Sequence, residues 1–331
     1  MKSFNNHINE ALITKKTKLV SKNFKPKTLT ELRNIINDRL RQDLTVLDLS
    51  DIDVSQVEDF SYLFYHLTNV NPKITTIRLN NWDTSSVTDM SFMFADCINI
   101  KEIIGIEYLN VENVKSFQYM FQYCKSLSSL NLSLWKTLNA TDLTGMFYKC
   151  LKLKRIVGVE SFNTIKVESA SNMFSCCNKL EEINLNNWKT DNLQYTIGMF
   201  SGCRHLKKVS IGNLNTKLLG YCTNMFQGCT SLETIDDLSN WIINYNAQNF
   251  NSMFQDCISL VRIKGIDTWF NKGVYFKQKI DLEFMFKNCI NLKDLGNLEK
   301  WKNNYYSLNT KDMFENTNLG ENIPSWYFQN Q

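Results

Sequence analysis

A Met-Phe pair, once Leu-Phe, recurs ten times along this chain, ending at Phe64, Phe94, Phe121, Phe147, Phe174, Phe200, Phe226, Phe254, Phe286 and Phe314. The steps between them are 30, 27, 26, 27, 26, 26, 28, 32 and 28 residues. A period this short leaves few architectures open, because a unit of about 20 to 50 residues buries its apolar side chains only against the copies on either side. Stacking into a solenoid is therefore obligatory.

Three residues after the Phe stands a Cys in eight of the ten copies, from Cys97 to Cys289, with Leu67 and Thr317 replacing it in the terminal ones. An aliphatic follows six residues after the Phe (Ile100, Leu127, Leu153, Leu180) and another nine after it (Ile103, Leu130, Ile156, Ile183). The unit reads M-F-x-x-C-x-x-L-x-x-I. Its tail predicts one short parallel strand per coil, and its head, such as Asp142-Leu143-Thr144-Gly145-Met146-Phe147, has the three-to-four spacing of one or two helical turns. The expected fold is an α/β repeat: one solenoid of about ten coils, roughly 45 to 50 Å long at about 4.8 Å per strand.

A second period overlies the first. Trp82, Trp135, Trp188 and Trp241 are 53 residues apart, and the coils between carry Gly105, Gly158, Gly212 and Gly265 near the strand end. Leu109, Phe162, Leu214 and Trp269 fill the Trp position in the Gly coils. These bulky residues read as structural plugs under a bend.

The ends differ from the array. Residues 1–27 form a basic tail of seven lysines against Glu10, a local charge of +6 in a chain whose total is +4, so the solenoid itself is close to neutral. Lys15, Lys16, Lys18, Lys22, Lys25 and Lys27 are the one route to nucleic acid or an anionic membrane that composition offers, a solvated tail being the commoner case. The capping box Thr28-Leu29-Thr30-Glu31 opens a helix with Leu29, Leu32, Ile35, Ile36 and Leu40 on one face, so residues 28–43 should seal the first strand edge. The solenoid is expected over 44–317 and a C-terminal cap over 318–331, where Trp326, Tyr327 and Phe328 follow Pro324. No run of about 18 apolar residues is present, so no membrane span is expected. The opening Met-Lys-Ser-Phe-Asn-Asn-His lacks secretory features, and the expected compartment is cytoplasmic, with surface or secreted placement as the alternative.

Catalytic and metal chemistry find little support. Eight of ten cysteines occupy one column and none forms a C-x-x-C pair, which favours buried free thiols over disulfides or a metal. Cys176 and Cys222 stand outside the column, and Cys176 is the expected reactive thiol. His7, His66 and His205 have no nucleophile at a justifying spacing, and no phosphate-binding glycine loop occurs. Asp89, Asp142, Asp312 and Glu58 or Asp59, ahead of the Met-Phe pair, read as caps of its helical turn. No enzyme and no cofactor are expected.

What remains is surface. Strand neighbours of the inward residue must point outward. They form a ladder of mixed sign that varies while the core columns stay constant: Glu102 and Ile104, Asn131, Arg155, Glu182 and Asn184, Lys208, Arg262 and Lys264, Asp294. That contrast suits a specific protein-binding face, with ordinary solvated surface as the alternative. The ladder lacks the basic stripe of a nucleic-acid face.

The repeat, best seen in Leu79-Asn-Asn-Trp82-Asp-Thr-Ser-Ser-Val-Thr-Asp-Met-Ser-Phe-Met-Phe94-Ala-Asp-Cys97, resembles the BspA-like leucine-rich-repeat proteins of bacteria over about residues 28 to 317. That resemblance implies a non-enzymatic binding protein. Family members are often surface-anchored or secreted binders of host or matrix proteins, and others sit in phage or mobile-element contexts. The leading expectation is an intracellular adaptor, inhibitor or effector acting through its strand face; a cell-surface adhesin is the runner-up, and binding through the basic tail the third reading.

Overall fold

The strand-forming tail of each repeat is only three residues long, too short to hold a sheet unless its neighbours supply the hydrogen bonds. In the computed structural model, which describes residues 23–243, 249–270 and 279–329, they do so in parallel register. Strands β1 (Val46–Asp48), β2 (Thr76–Arg78) and β3 (Glu102–Ile104) form one sheet, with Leu47, Ile77 and Ile103 in register. Strands β4 (Ser129–Asn131) and β5 (Arg155–Val157) form a second. Strands β6 (Glu182–Asn184), β7 (Lys208–Ser210) and β8 (Thr234–Ile235) form a third. The middle residue faces inward and its neighbours outward, as period-two alternation requires.

A second parallel ladder, which the repeat pattern does not predict, runs from Asp59 to Asn309. The residue five before each Phe bridges its counterpart in the next coil: Asp59 to Asp89, then Ser116, Asp142, Ser169, Tyr195, Tyr221, Asn249 and Asp281. Strands β9 (Ile280–Asp281) and β10 (Leu308–Asn309) complete it.

The head of the repeat is a run of hydrogen-bonded turns rather than a helix. Alternate amides donate to the following coil, Tyr62 to Ser91 O, Phe64 to Met93 O and His66 to Ala95 O, while Leu63, Tyr65 and Leu67 close turns on Phe60, Tyr62 and Phe64. A helix needs every such N–H for its own carbonyls four residues back, so a chain that gives half of them to its neighbour cannot form one. Among the described residues of the coils, an α-helix forms at α2 (Leu67–Val70) in the first coil alone. The residues two before and two after each Phe are left-handed, as at Phe92 (φ 55°) and Asp96 (φ 58°). Consequently Asp59, Asp89 and Asp142 cap no helix: each accepts the amide two residues on, at 2.7, 2.7 and 2.8 Å. Asp312 itself occupies a left-handed position (φ 51°).

The core is a set of columns. The ten Phe rings stack in nine steps with centroids 5.0 to 5.8 Å apart, giving about nine complete turns. Each column Cys donates its thiol to the carbonyl of the preceding coil's Phe, from Cys97 on Phe64 (3.2 Å) to Cys289 on Phe254 (3.0 Å). The four period-53 tryptophans are buried, and each indole N–H reaches a backbone carbonyl of the preceding coil, Trp188 to Val159 O at 2.8 Å. Two residues after the plug position, Thr84, Thr137, Thr164, Thr190 and Thr216 are buried and donate to the next coil's backbone.

The Gly coils explain why the strand sheet is broken in three. Gly105 and Gly158 take φ of 89° and 95°, and each starts a single 3-10 turn that carries the chain away from the sheet after β3 and after β5; Gly265 (φ 83°) starts the same turn, yet Arg262 in its coil still bridges Asp294 in the next. At Gly158 a Cβ would lie 2.5 Å from the Ser133 backbone, so glycine is required for space as well as conformation. Gly212 has no positive φ, and there β7 and β8 stay paired.

At the N-terminal end, α1 (Leu29–Leu40) buries Leu32, Ile36 and Leu40. The Thr28 hydroxyl accepts the Glu31 amide, and the Glu31 carboxylate accepts the Lys27 amide. At the other end Trp326 is fully buried, with its indole N–H on Leu298 O, and Tyr327 sets its edge on Phe314 at 4.9 Å, while Phe328 is exposed.

Candidate functional site

A three-residue strand presents two outward side chains, so any site on the strand face has to be assembled from several coils. Such a site exists where β5, β6 and β7 succeed one another: an open groove of about 920 Å³. Ile156 and Ile183 form its floor, 8 and 7 % exposed, and Val159 and Glu160 of the 3-10 turn raise one rim. β5 and β6 do not pair, so the groove lies along a seam in the sheet.

The groove brings together four of the ten ladder residues expected from sequence: Arg155, Glu182, Asn184 and Lys208. Glu102 and Ile104 on β3, and Asn131 on β4, lie on earlier coils outside it. Beyond its other end, Arg262 is paired with Asp294 at 3.3 Å and Lys264 with Asp237 at 2.6 Å. The Lys264 ammonium, helped by the Ser239 amide and hydroxyl, holds the Asp237 carboxyl at about 2. Those three candidates are thus already engaged within the chain.

Lys154, Glu181 and Lys207 also line the groove, which strand alternation does not predict, because each stands two residues before the inward position, just outside the three-residue strand. The signal was present as like-charged doublets at one offset in successive coils: Lys154-Arg155, Glu181-Glu182, Lys207-Lys208.

Among the described residues other chemistry is not assembled. The column thiols are buried, and desolvation pushes them well above the ordinary thiol range, to about 12 at Cys229 and Cys289. Cys222 is buried as well and raised to about 12 for the same reason, while Cys176 is half-buried. His66 lies 3.8 Å from Asp96, His205 is beside Lys179, and His7 lies outside the described residues. Among the described residues no cluster of three or more His, Cys, Asp or Glu is placed to hold a metal, and no helix is long and apolar enough to cross a membrane. Of the basic tail, Lys25 and Lys27 are exposed, and Lys15, Lys16, Lys18 and Lys22 lie outside the described residues.

No curated protein matches the chain. Among solved structures it is similar to a leucine-rich repeat protein of T. pallidum, at 13 % identity and a TM-score of 0.36, over 74 % of this chain and 85 % of that one. It is similar to a leucine-rich repeat protein of Bacteroides ovatus at 16 % identity and 0.29, over 76 and 80 %. A leucine-rich cell surface protein of Faecalibacterium prausnitzii gives 16 % and 0.33, over 78 and 81 %. The coils themselves, with one inward-facing strand residue and one Phe, Cys and Leu rung per turn, are leucine-rich repeats of the BspA-like kind. Residues 30–158, 75–182 and 152–269 match the family described as "Mycoplasma protein of unknown function, DUF285", together covering more than half of the sequence. The chain therefore belongs to that family.

Proposed function

We propose that the chain is a non-enzymatic scaffold that binds another protein at the groove formed by β5, β6 and β7, acting as an adaptor, inhibitor or effector. The observation that carries this reading is the groove itself, where charged side chains from three coils surround an apolar floor of Ile156 and Ile183. A floor of that kind with a charged rim is the general anatomy of a protein interface. The rest of the molecule supports it by rigidity: the Phe stack and the second ladder hold the coils at fixed spacing, so a partner meets a preformed surface and little ordering entropy is lost.

The test is quantitative affinity capture from the source cell with the wild-type chain, with Arg155→Glu/Lys208→Glu, and with Lys136→Glu, whose ion pair to Glu112 lies outside the groove. The reading expects one protein near equal stoichiometry on the wild type and on Lys136→Glu, reduced at least tenfold on the groove variant. Equal recovery on all three would refute the groove as the binding face.

A further inference from the structure

The charges of the groove are arranged in rows that do not neutralise one another. Lys154 and Arg155 stand on one coil, Glu181 and Glu182 on the next, Lys207 and Lys208 on the third, all exposed. Elsewhere on the surface opposite charges on adjacent coils close into pairs: Arg78 with Asp48 at 2.7 Å, Lys287 with Glu315 at 2.7 Å, Lys136 with Glu112 at 3.1 Å. Among the described residues none of the six groove charges forms an ion pair, although Glu182 and Lys208 are direct partners in the β6–β7 register. Across the β5–β6 seam the strands do not pair, and Arg155 is not drawn onto Glu182. Cation, anion and cation rows are left open to solvent over the apolar floor.

The spacing of these rows selects the shape of what fits them. The Phe rings beneath the three coils are 5.6 and 5.4 Å apart. An α-helix rises about 5.4 Å per turn. Parallel strands lie about 4.8 Å apart, so between the strand face and the Phe column a helix lying along the solenoid axis sets residues i, i+3 or i+4, and i+7 over successive coils with a drift of at most about 0.6 Å per coil. An extended segment in the same direction repeats its face every ~6.7 Å and slips more than ~1 Å per coil.

We propose that the groove receives an α-helix of the partner, laid along the solenoid axis, with an acidic residue at i, a basic residue at i+3 or i+4 and an acidic residue at i+7. The two outer carboxylates meet Lys154 with Arg155 and Lys207 with Lys208, the central cation meets Glu181 with Glu182, and an apolar side chain beside them covers Ile156 and Ile183. This rests on the groove being the protein-binding face and adds the partner's conformation and charge order.

The test is selection on the full chain from two displayed libraries of 16-residue segments, one constrained as a helix on a coiled-coil scaffold and one unstructured. The expected result is enrichment of helices with the acid, base, acid order. The synthetic winner should bind at least tenfold more weakly when its central base is changed to Glu. It should regain that factor on the chain carrying Glu181→Lys and Glu182→Lys, whose far-UV circular dichroism should match wild type. Enrichment of extended segments, of helices lacking the charge order, or of nothing would overturn the proposal. If affinity capture still depends on Arg155 and Lys208 while display returns extended segments, the helix fails and the groove stands; if neither depends on the groove, both fail.

Discussion

The Cys177 thiol donates to the carbonyl of Phe147, one coil earlier, at 3.2 Å. That carbonyl also accepts the amide of Cys150, so the thiol fills its second lone pair where no backbone donor can reach. Eight such bonds run down the core, which is why a small, weakly polar side chain recurs in this column.

Cys177→Ala should lower stability by about 2 kcal/mol, combining a lost buried hydrogen bond with a small cavity. Urea denaturation followed by circular dichroism measures it. An unchanged midpoint would show that the thiol contributes nothing.

The buried thiols, the column and Cys222 together, make stability pH-dependent. Desolvation raises the buried thiols from 9.0, to about 12 at Cys222, Cys229 and Cys289. Above about pH 9 the unfolded chain releases thiol protons that the folded chain keeps, so stability present below that pH is lost as pH rises toward the folded values. Each thiol contributes a slope of about 1.4 kcal/mol per pH unit in that window. Denaturation midpoints between pH 8 and 10.5 should fall steeply, and Cys229→Ala should reduce the slope by one thiol's share.

Alkylation reads the same burial in another way. In the native chain at pH 8 one thiol, Cys176, should react with iodoacetamide within minutes, while in 6 M guanidinium all ten should. Rapid native labelling at a column position, located by mass spectrometry, would contradict the packing described.

Gly158→Ala and Gly228→Ala separate space from conformation. Both glycines have positive φ, 95° and 71°, but a Cβ at Gly158 meets Ser133 backbone at 2.5 Å, whereas at Gly228 the nearest atom is 3.8 Å away. The second substitution should cost about 1 to 2 kcal/mol, the left-handed penalty alone. The first should cost clearly more, because Ser133 follows β4 and cannot move without displacing Leu132, which is buried and donates its amide to Val157 O.

Much of this was legible in the residues. Ten Phe positions, the Cys column and the 53-residue Trp spacing fix a stacked leucine-rich solenoid, because each column must find its own kind in the next coil. The head of the repeat was not legible as turns: Leu143, Met146 and Phe147 have helical spacing, and nothing in one copy says that alternate amides are spent on the next. The left-handed positions were also masked. Gly145, Asn172 and Gly198 suit such a backbone, but Tyr62, Phe92 and Tyr119 occupy the same column and do not. Stacking of Tyr62 on Phe92 at 4.5 Å offsets that cost. The ladder of outward residues was readable one by one. Which of them share a groove was not, since that depends on where the sheet breaks after Gly158, and on Arg262 and Lys264 finding partners in Asp294 and Asp237.

A partner protein seated in the groove between β5 and β7 would lie within reach of Asn184. A photo-crosslinking amino acid placed at Asn184, inside the groove, and separately at Leu138, which is exposed outside it, tests this most directly in the source cell. The expected result is one discrete adduct of defined mass from position 184 and none from 138, lost when Arg155→Glu and Lys208→Glu are added. An adduct from position 138 alone, or one from 184 that survives those substitutions, would contradict it.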